Sequence, residues 1–365
     1  MAAPHRIDVH HHFVPQIYKD ALITLGSACP APGYQAPIAN WSLERSLDQM
    51  DEAGIASAIV SVTTPGIHFG DDGAARKLAR QCNEAGARMV ADRPQRFGLF
   101  AALPLPDIDA SLNEIAYALD ELKADGIGLY TSYEAGGVKF LGDPAFAPLL
   151  SELDRRKALV FVHPTSCVCC SDLQPGIADA IIEYGTDTTR TIASLVFGGA
   201  AARFPHIRYI FCHAGGTMPY LIQRFVDFSG RDKAAMNAAM PNGMLHELTR
   251  FHYDLAQTAH PGPVGALRNI IPLSQILFGT DYPYGFGCAD QVTRIAACGF
   301  TAAELASVDR SNALRLLPRF GTLEDRLQRP ARRDEHVVEP ATPSAAPARG
   351  VPTPAARDRA ATEKT

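Results

Sequence analysis

The chain has 365 residues, of which 47% are hydrophobic, with 34 basic and 39 acidic side chains and a net charge of −5. This is enough for one large barrel domain or two smaller domains, and it lacks the basic stripe of a nucleic-acid surface. No run nears the ~18 apolar residues of a membrane span, and Met1 to Arg6 leads into the first strand without an apolar signal core, so the expected location is cytoplasmic.

The first predicted strand, 6–12, is followed by 13–40, which is rich in Pro, Gly and Ala and reads as a long loop placed to act as a lid. A helix over Ser42 to Ala53 ends before Gly54, and a strand follows at 57–62. Helix Gly73 to Asp92 stops at Pro94 and leads to strand 97–103. Helix Ala110 to Ala124 carries Leu112, Ile115, Ala116, Leu119 and Leu122 at helical spacing, ahead of strand 126–132. Helix Pro144 to Lys157 precedes strand 159–164, and helix Thr188 to Phe204 precedes strand 208–214. Helix Met218 to Phe228 precedes strand 250–256, helix Pro261 to Ile271 precedes strand 275–281, and helix Thr301 to Leu316 completes the series. From 325 to 365 Pro, Ala and charge dominate without apolar periodicity, which reads as a disordered tail on a domain of residues 1–324.

Short apolar strands alternating with helices predict a parallel sheet buried on both faces. Residues able to bind a metal end the first, fifth, sixth and eighth strands. That return to one place favours a closed (β/α)8 TIM barrel over an open sheet, and no Gly-rich phosphate loop follows the first strand.

His10 and His12 are two apart on a strand, so period-2 alternation puts both imidazoles on one face and His11 on the other. Asp8 shares their parity and is expected to point inward, deeper, where it can orient a ligand. His163 ends its strand before Pro164, and Asp281 ends another before Tyr282-Pro283. A carboxylate buried there needs a cation or hydrogen bonds. Three imidazoles and one carboxylate suit Zn2+, with Mn2+ or Fe2+ as alternatives. His213, followed by Ala214-Gly215-Gly216, reads either as a fourth imidazole ligand or as a free acid/base, and the second is preferred. No Lys lies in the fourth strand, so a bridging carbamylated lysine is ruled out and a mononuclear site is expected. Cys82, Cys212, Cys288 and Cys298 read as free thiols in core segments, and Cys167, Cys169 and Cys170 lack the partner spacing of a zinc site and read as pocket lining.

Asp8-Val9-His10-His11-His12, Phe161-Val162-His163-Pro164, His213-Ala214-Gly215-Gly216 and Gly279-Thr280-Asp281-Tyr282-Pro283 occur in one order across residues 6–320. In these the chain resembles the amidohydrolase superfamily, in the branch of aminocarboxymuconate-semialdehyde decarboxylase. Ile7 to Pro15, Gly142 to Thr165 and Thr186 to Gly216, with the run Tyr184 to Arg190, look most like the 6-methylsalicylate decarboxylase group within it. The resemblance implies that His10, His12, His163 and Asp281 bind one divalent metal and that His213 is the catalytic histidine. It also implies that Arg224 reaches a neighbouring subunit's substrate, hence a homodimer. Ala214 stands where the family often has the first of three glycines, and only Arg45 approximates the arginines that the semialdehyde decarboxylase uses before its second strand. These departures favour an aromatic carboxylic acid as substrate.

The expected activity is therefore that of a carboxy-lyase: a metal-dependent, nonoxidative decarboxylase of a hydroxylated, salicylate-type acid, with His213 and Asp281 as the two candidates for the group that protonates carbon. Phe13, Tyr130, Tyr133 and Phe286 are candidate walls for the ring, each weighed against plain core packing. A hydrolase of an amide, lactone or ring-cleavage product on the same site, with metal-activated water, is the alternative. A noncatalytic binding barrel is the third reading, and the complete ligand set argues against it.

Overall fold

The computed structural model describes residues 5–24, 32–167, 170, 173–174 and 176–322. The barrel unit is Met1–Gly321. The tail expected from 325 lies outside the described residues.

Eight parallel strands run in sequence order round the sheet. They are β1 (Arg6–Phe13), β2 (Ile55–Val62), β3 (Phe97–Ala102), β4 (Gly126–Tyr130), β5 (Leu159–His163), β6 (Arg208–Phe211), β7 (His252–Asp254) and β8 (Ile276–Leu277). The sheet closes on itself: Val9 N–H donates to the Phe278 carbonyl (3.1 Å), Asp281 N–H to that of His10 (2.8 Å), and His12 N–H to that of Tyr282 (2.7 Å). β7 and β8 are shorter than expected, at three and two residues.

The barrel interior is filled by Ile7, Val9, Ile59, Phe100, Leu159, Phe161, Ile210, Cys212 and Leu277. Leu314, Leu316, Leu317 and Phe320, at the end of the described chain, join that cluster and plug the end of the barrel where the strands begin. Only the opposite rim is left for chemistry, as in other barrels of this kind. A larger cluster packs between the strands and the outer helices.

The helices over Leu43–Glu52 (capped by Ser42), Asp72–Asp92, Met218–Ser229 and Pro261–Arg268 lie where spacing placed them. The 13–40 segment is a correction. It contains helices Gln16–Thr24 and Pro32–Asn40, and Tyr18 and Leu22 are buried against the body. The helix expected over Thr188 to Phe204 starts at Asp179, ends at Phe197, and breaks where Gly199 turns left-handed (φ 79°). Helices Lys233–Ala239, Met244–Arg250 and Cys288–Ala296 were not anticipated. No helix among the described residues is long and apolar enough to cross a membrane.

Candidate metal centre

β1 carries the first two candidate ligands, but not by simple alternation. Ile7 and Val9 fill the barrel interior, and the pairing with β2 shifts register between Asp8 and His11. After the shift His10 and His12 turn inward and His11 turns out, where its ring stacks on Tyr282 and bonds Ser46 Oγ (2.8 Å). Asp8 therefore faces away from the two imidazoles, contrary to the expectation that it would point inward, although its Oδ1 accepts the backbone N–H of His10 (3.0 Å). Its carboxylate takes the His11 ring (3.0 Å) and the Thr280 hydroxyl (2.6 Å), tying β1 to the loop after β8.

Each imidazole is fixed through its outer nitrogen. His10 Nδ1 meets Asp254 Oδ2 at 3.0 Å, His12 Nδ1 meets Ser61 Oγ at 3.1 Å, and His163 Nδ1 donates to the Pro164 carbonyl at 2.7 Å. All three Nε2 atoms are thereby aimed at one point. His10 and His12 Nε2 face each other at 3.2 Å, and Asp281 Oδ1 lies 2.9 Å from His12 Nε2, 3.1 Å from His10 Nε2 and 3.9 Å from His163 Nε2.

This is a convergence of acceptors. The His163 Nε2 is buried without a hydrogen-bond partner, and because Nδ1 holds the proton, Nε2 presents a lone pair. Burial pushes the His163 imidazole down to about 3, so it is neutral at physiological pH. Buried lone pairs and an anion pointed at one another are unfavourable unless a cation joins them. The four donor atoms lie within 4.8 Å of one another and are of the hard-to-borderline kind that binds a divalent metal. A second grouping, His10, Cys212 and Asp254, shares His10 and lies directly beneath.

His213 stands at the same rim, just past β6, with its Nε2 3.4 Å from Asp281 Oδ2. Its backbone is left-handed (φ 54°), as are Ala214, Gly215 and Gly216 after it. A Cβ on Gly216 would collide with the Gly185 carbonyl oxygen, so glycine is required both for its φ of 67° and for this close approach. The helix Asp179–Phe197 secures the turn: Thr217 N–H donates to Thr189 Oγ1 (2.9 Å) and to the Gly185 carbonyl (3.2 Å).

Besides Ser61 beside His12, two further residues of the centre were not anticipated from the sequence. Asp254, at the end of β7, holds His10 through Oδ2 and the His213 backbone N–H through Oδ1 (3.1 Å), so one carboxylate braces two candidate histidines. Gln257, three residues on, donates from Nε2 to Asp281 Oδ2 at 2.6 Å.

The family described as Amidohydrolase matches residues 7–319. The chain belongs to the amidohydrolase family. A decarboxylase of Aspergillus niger is 37% identical, over 86% of this chain and 88% of its own. The 6-methylsalicylic acid decarboxylase of Aspergillus aculeatus is 35% identical, over 87% of this chain and 98% of its own. Among solved structures, a dihydroxybenzoic acid decarboxylase from a Polaromonas species, with bound manganese and 2-nitroresorcinol, superposes with a TM-score of 0.76 over 89% of this chain and 99% of that one, at 19% identity. At that identity the likeness speaks for the fold.

In this amidohydrolase, His10, His12, His163, His213 and Asp281 come together, and Arg224 does not join them. Arg224 is exposed on helix Met218–Ser229 without a charged partner among the described residues. Arg45 is exposed and donates to the Asn40 carbonyl (3.3 Å), away from the centre. Of the expected ring walls, Tyr130 lies with its ring centre 6.4 Å from that of His163. Phe13 is core, beneath helix Asp72–Asp92, and Tyr133 packs on Phe146. Phe286 is exposed at the mouth. Tyr184, which was not among the expected walls, has its ring centre 6.3 Å from that of His163. Cys167 is buried beyond β5 and Cys170 is half-buried, while Cys169 lies outside the described residues. Cys82, Cys212, Cys288 and Cys298 are free thiols.

Proposed function

We propose that this amidohydrolase is a metal-dependent, nonoxidative carboxy-lyase that releases CO2 from a hydroxylated aromatic acid of the salicylate type. The observation that carries the reading is the centre itself: three inward Nε2 atoms and one carboxylate on a point without a donor, with a further histidine at hydrogen-bond range on the open side. Likeness to fungal 6-methylsalicylic acid decarboxylases over nearly the whole chain supports the substrate class.

His10, His12, His163 and Asp281 would hold one divalent ion. Zn2+ fits a set of three imidazoles and a carboxylate best, and Mn2+, present in the Polaromonas relative, is the alternative. When bound, such an ion supplies Lewis acidity toward the carboxylate and ortho-hydroxyl oxygens of the acid and offsets their charge. The chain's own groups do the rest. His213 and Asp281 hold and deliver the proton at their shared edge, His213 Nε2 to Asp281 Oδ2. The ring carbon bearing the carboxylate accepts that proton and becomes tetrahedral. The carbon–carbon bond then breaks, its electron pair restores aromaticity, and CO2 departs. A positioned acid/base of this kind contributes roughly 10²- to 10⁴-fold. Tyr130 and Tyr184 flank His163 and confine a planar ring beside it.

Arg224 is proposed to act in a homodimer, reaching a carboxylate in the partner's site, for which the planar guanidinium is suited. Two apolar neighbours on its helix support a protein contact there: Tyr220 is 88% and Phe228 51% exposed. A cytoplasmic location accords with the free thiols. The catalytic unit is taken as residues 1–324, with the Pro/Ala-rich remainder outside it.

The deciding experiment is to load the protein with Zn2+ or Mn2+ and follow CO2 release from salicylate-type acids, beside a panel of lactones and amides. In D2O the phenolic product should carry one deuteron at the carbon that bore the carboxylate. Turnover of a lactone or amide without CO2 release would replace this reading with the hydrolase.

A further inference from the structure

The two oxygens of Asp281 have different surroundings. Oδ1 is turned to the imidazoles, with His12 Nε2 at 2.9 Å and His10 Nε2 at 3.1 Å. Oδ2 is turned to the open side, with Gln257 Nε2 at 2.6 Å and His213 Nε2 at 3.4 Å. Gln257 thus makes the shortest contact to the oxygen at which the proton would be handled.

Backbone strain gathers at the same three residues. Among the described residues, six that are not glycine have positive φ: Lys123, Lys157, His213, Ala214, Gln257 and Asp281. Four of the six lie in the loops after β6, β7 and β8, and three of those, His213 (54°), Gln257 (53°) and Asp281 (62°), meet at Oδ2. Each left-handed non-glycine residue costs on the order of 1–2 kcal/mol, so such a cluster persists only where the surroundings over-determine it, and it points to function. Gln257 is anchored from behind, because Asp254 Oδ1 accepts both the Ala256 N–H (2.9 Å) and the His213 N–H (3.1 Å). It is exposed toward a cavity that it lines with Thr258, His260, Phe286 and Arg294.

We propose that Gln257 is a positioning residue that keeps Asp281 Oδ2 away from the metal and available for proton handling; this rests on the decarboxylase reading for its role in turnover. A carboxylate left to itself can turn both oxygens onto one cation. Doing so here would fill a position needed by the two substrate oxygens and would remove the proton-handling oxygen from His213. The Gln257 N–H holds Oδ2 in a charge-assisted hydrogen bond that opposes this rotation.

The test uses Gln257→Ala and Gln257→Glu in the full chain, loaded with Zn2+ for turnover and with Co2+ for absorption. Both variants should keep one metal per chain, lose kcat roughly 10- to 100-fold, the scale of one lost hydrogen bond to a charged group, and raise KM as Asp281 competes with the substrate oxygens. The Co2+ spectrum of Gln257→Ala should weaken and shift, as expected when Asp281 binds through both oxygens and coordination number rises. Gln257→Glu has the same shape without the donor, so its loss should match or exceed that of alanine. Full activity in Gln257→Glu would make the residue a space-filler and overturn the proposal. Loss of metal from Gln257→Ala, or an unchanged Co2+ spectrum, would overturn it as well. The spectrum needs no substrate. It therefore judges Gln257 even if the wild-type protein decarboxylates nothing, an outcome that would sink the decarboxylase reading alone.

Discussion

The two sides of the centre are built by different means. His10, His12 and His163 sit on β1 and β5 in extended backbone, each aimed by the ladder and pinned through Nδ1. His213, Gln257 and Asp281 sit beyond β6, β7 and β8 in left-handed turns. The first side gathers lone pairs onto one point, a task for rigid strands. The second is proposed to place and move a proton at Asp281 Oδ2, and it is held by strained loops braced through Asp254 and helix Asp179–Phe197. Asp281 belongs to both sides, through Oδ1 to one and Oδ2 to the other.

The division can be broken most severely from the strand side. His163→Ala removes a ligand whose Nε2 has no other partner, so the protein should lose its metal on desalting and its CO2 release should fall below detection. Metal analysis after gel filtration checks this, and full metal content would remove His163 from the ligand set. Asp254→Asn should come next. It puts an amide against His10 Nδ1 yet keeps an oxygen for the His213 N–H, so metal affinity should fall roughly 10–100-fold. At saturating metal its kcat should suffer less than that of a His213 variant. Competition with a chromophoric chelator measures the affinity, and unchanged affinity with lost turnover would put Asp254 wholly on the proton side.

Gly216→Ala tests the turn side alone. The left-handed φ and the clash with Gly185 should together cost about 2–4 kcal/mol, seen as a lower Tm and reduced kcat with metal content unchanged. Metal loss in that variant would show that the two sides are not separable. The smallest effect should come from Arg224→Ala, which lies off the centre within its own chain. It should raise KM with kcat nearly kept, and the protein should still sediment as a dimer. An unchanged KM would take Arg224 out of the shared pocket.

The strand side was also the more legible one. The spacing of His10 and His12, the His163-Pro164 strand end and the alternation of elements gave the barrel and its converging histidines directly. Asp8 went astray because the register shift before His11 interrupts the period of two, and nothing in the residue types announces a bulge. Asp254 had a signal: a carboxylate between Tyr253 and Leu255, both buried, needs partners, and those partners are now visible. Gln257 had none, since an exposed amide in a turn is ordinary until its neighbour across the barrel mouth is known. Helix Asp179–Phe197 was started nine residues late because its first turns are poor in buried apolar residues, with Ile181 and Ile182 facing solvent.

The central claim is that His213 handles the proton without holding the metal. Metal content and turnover, measured on one preparation of His213→Ala, test it most directly. The account predicts one metal per chain and a kcat lower by roughly 10²- to 10⁴-fold. A variant that has lost its metal, or one that keeps both its metal and full turnover, would contradict it.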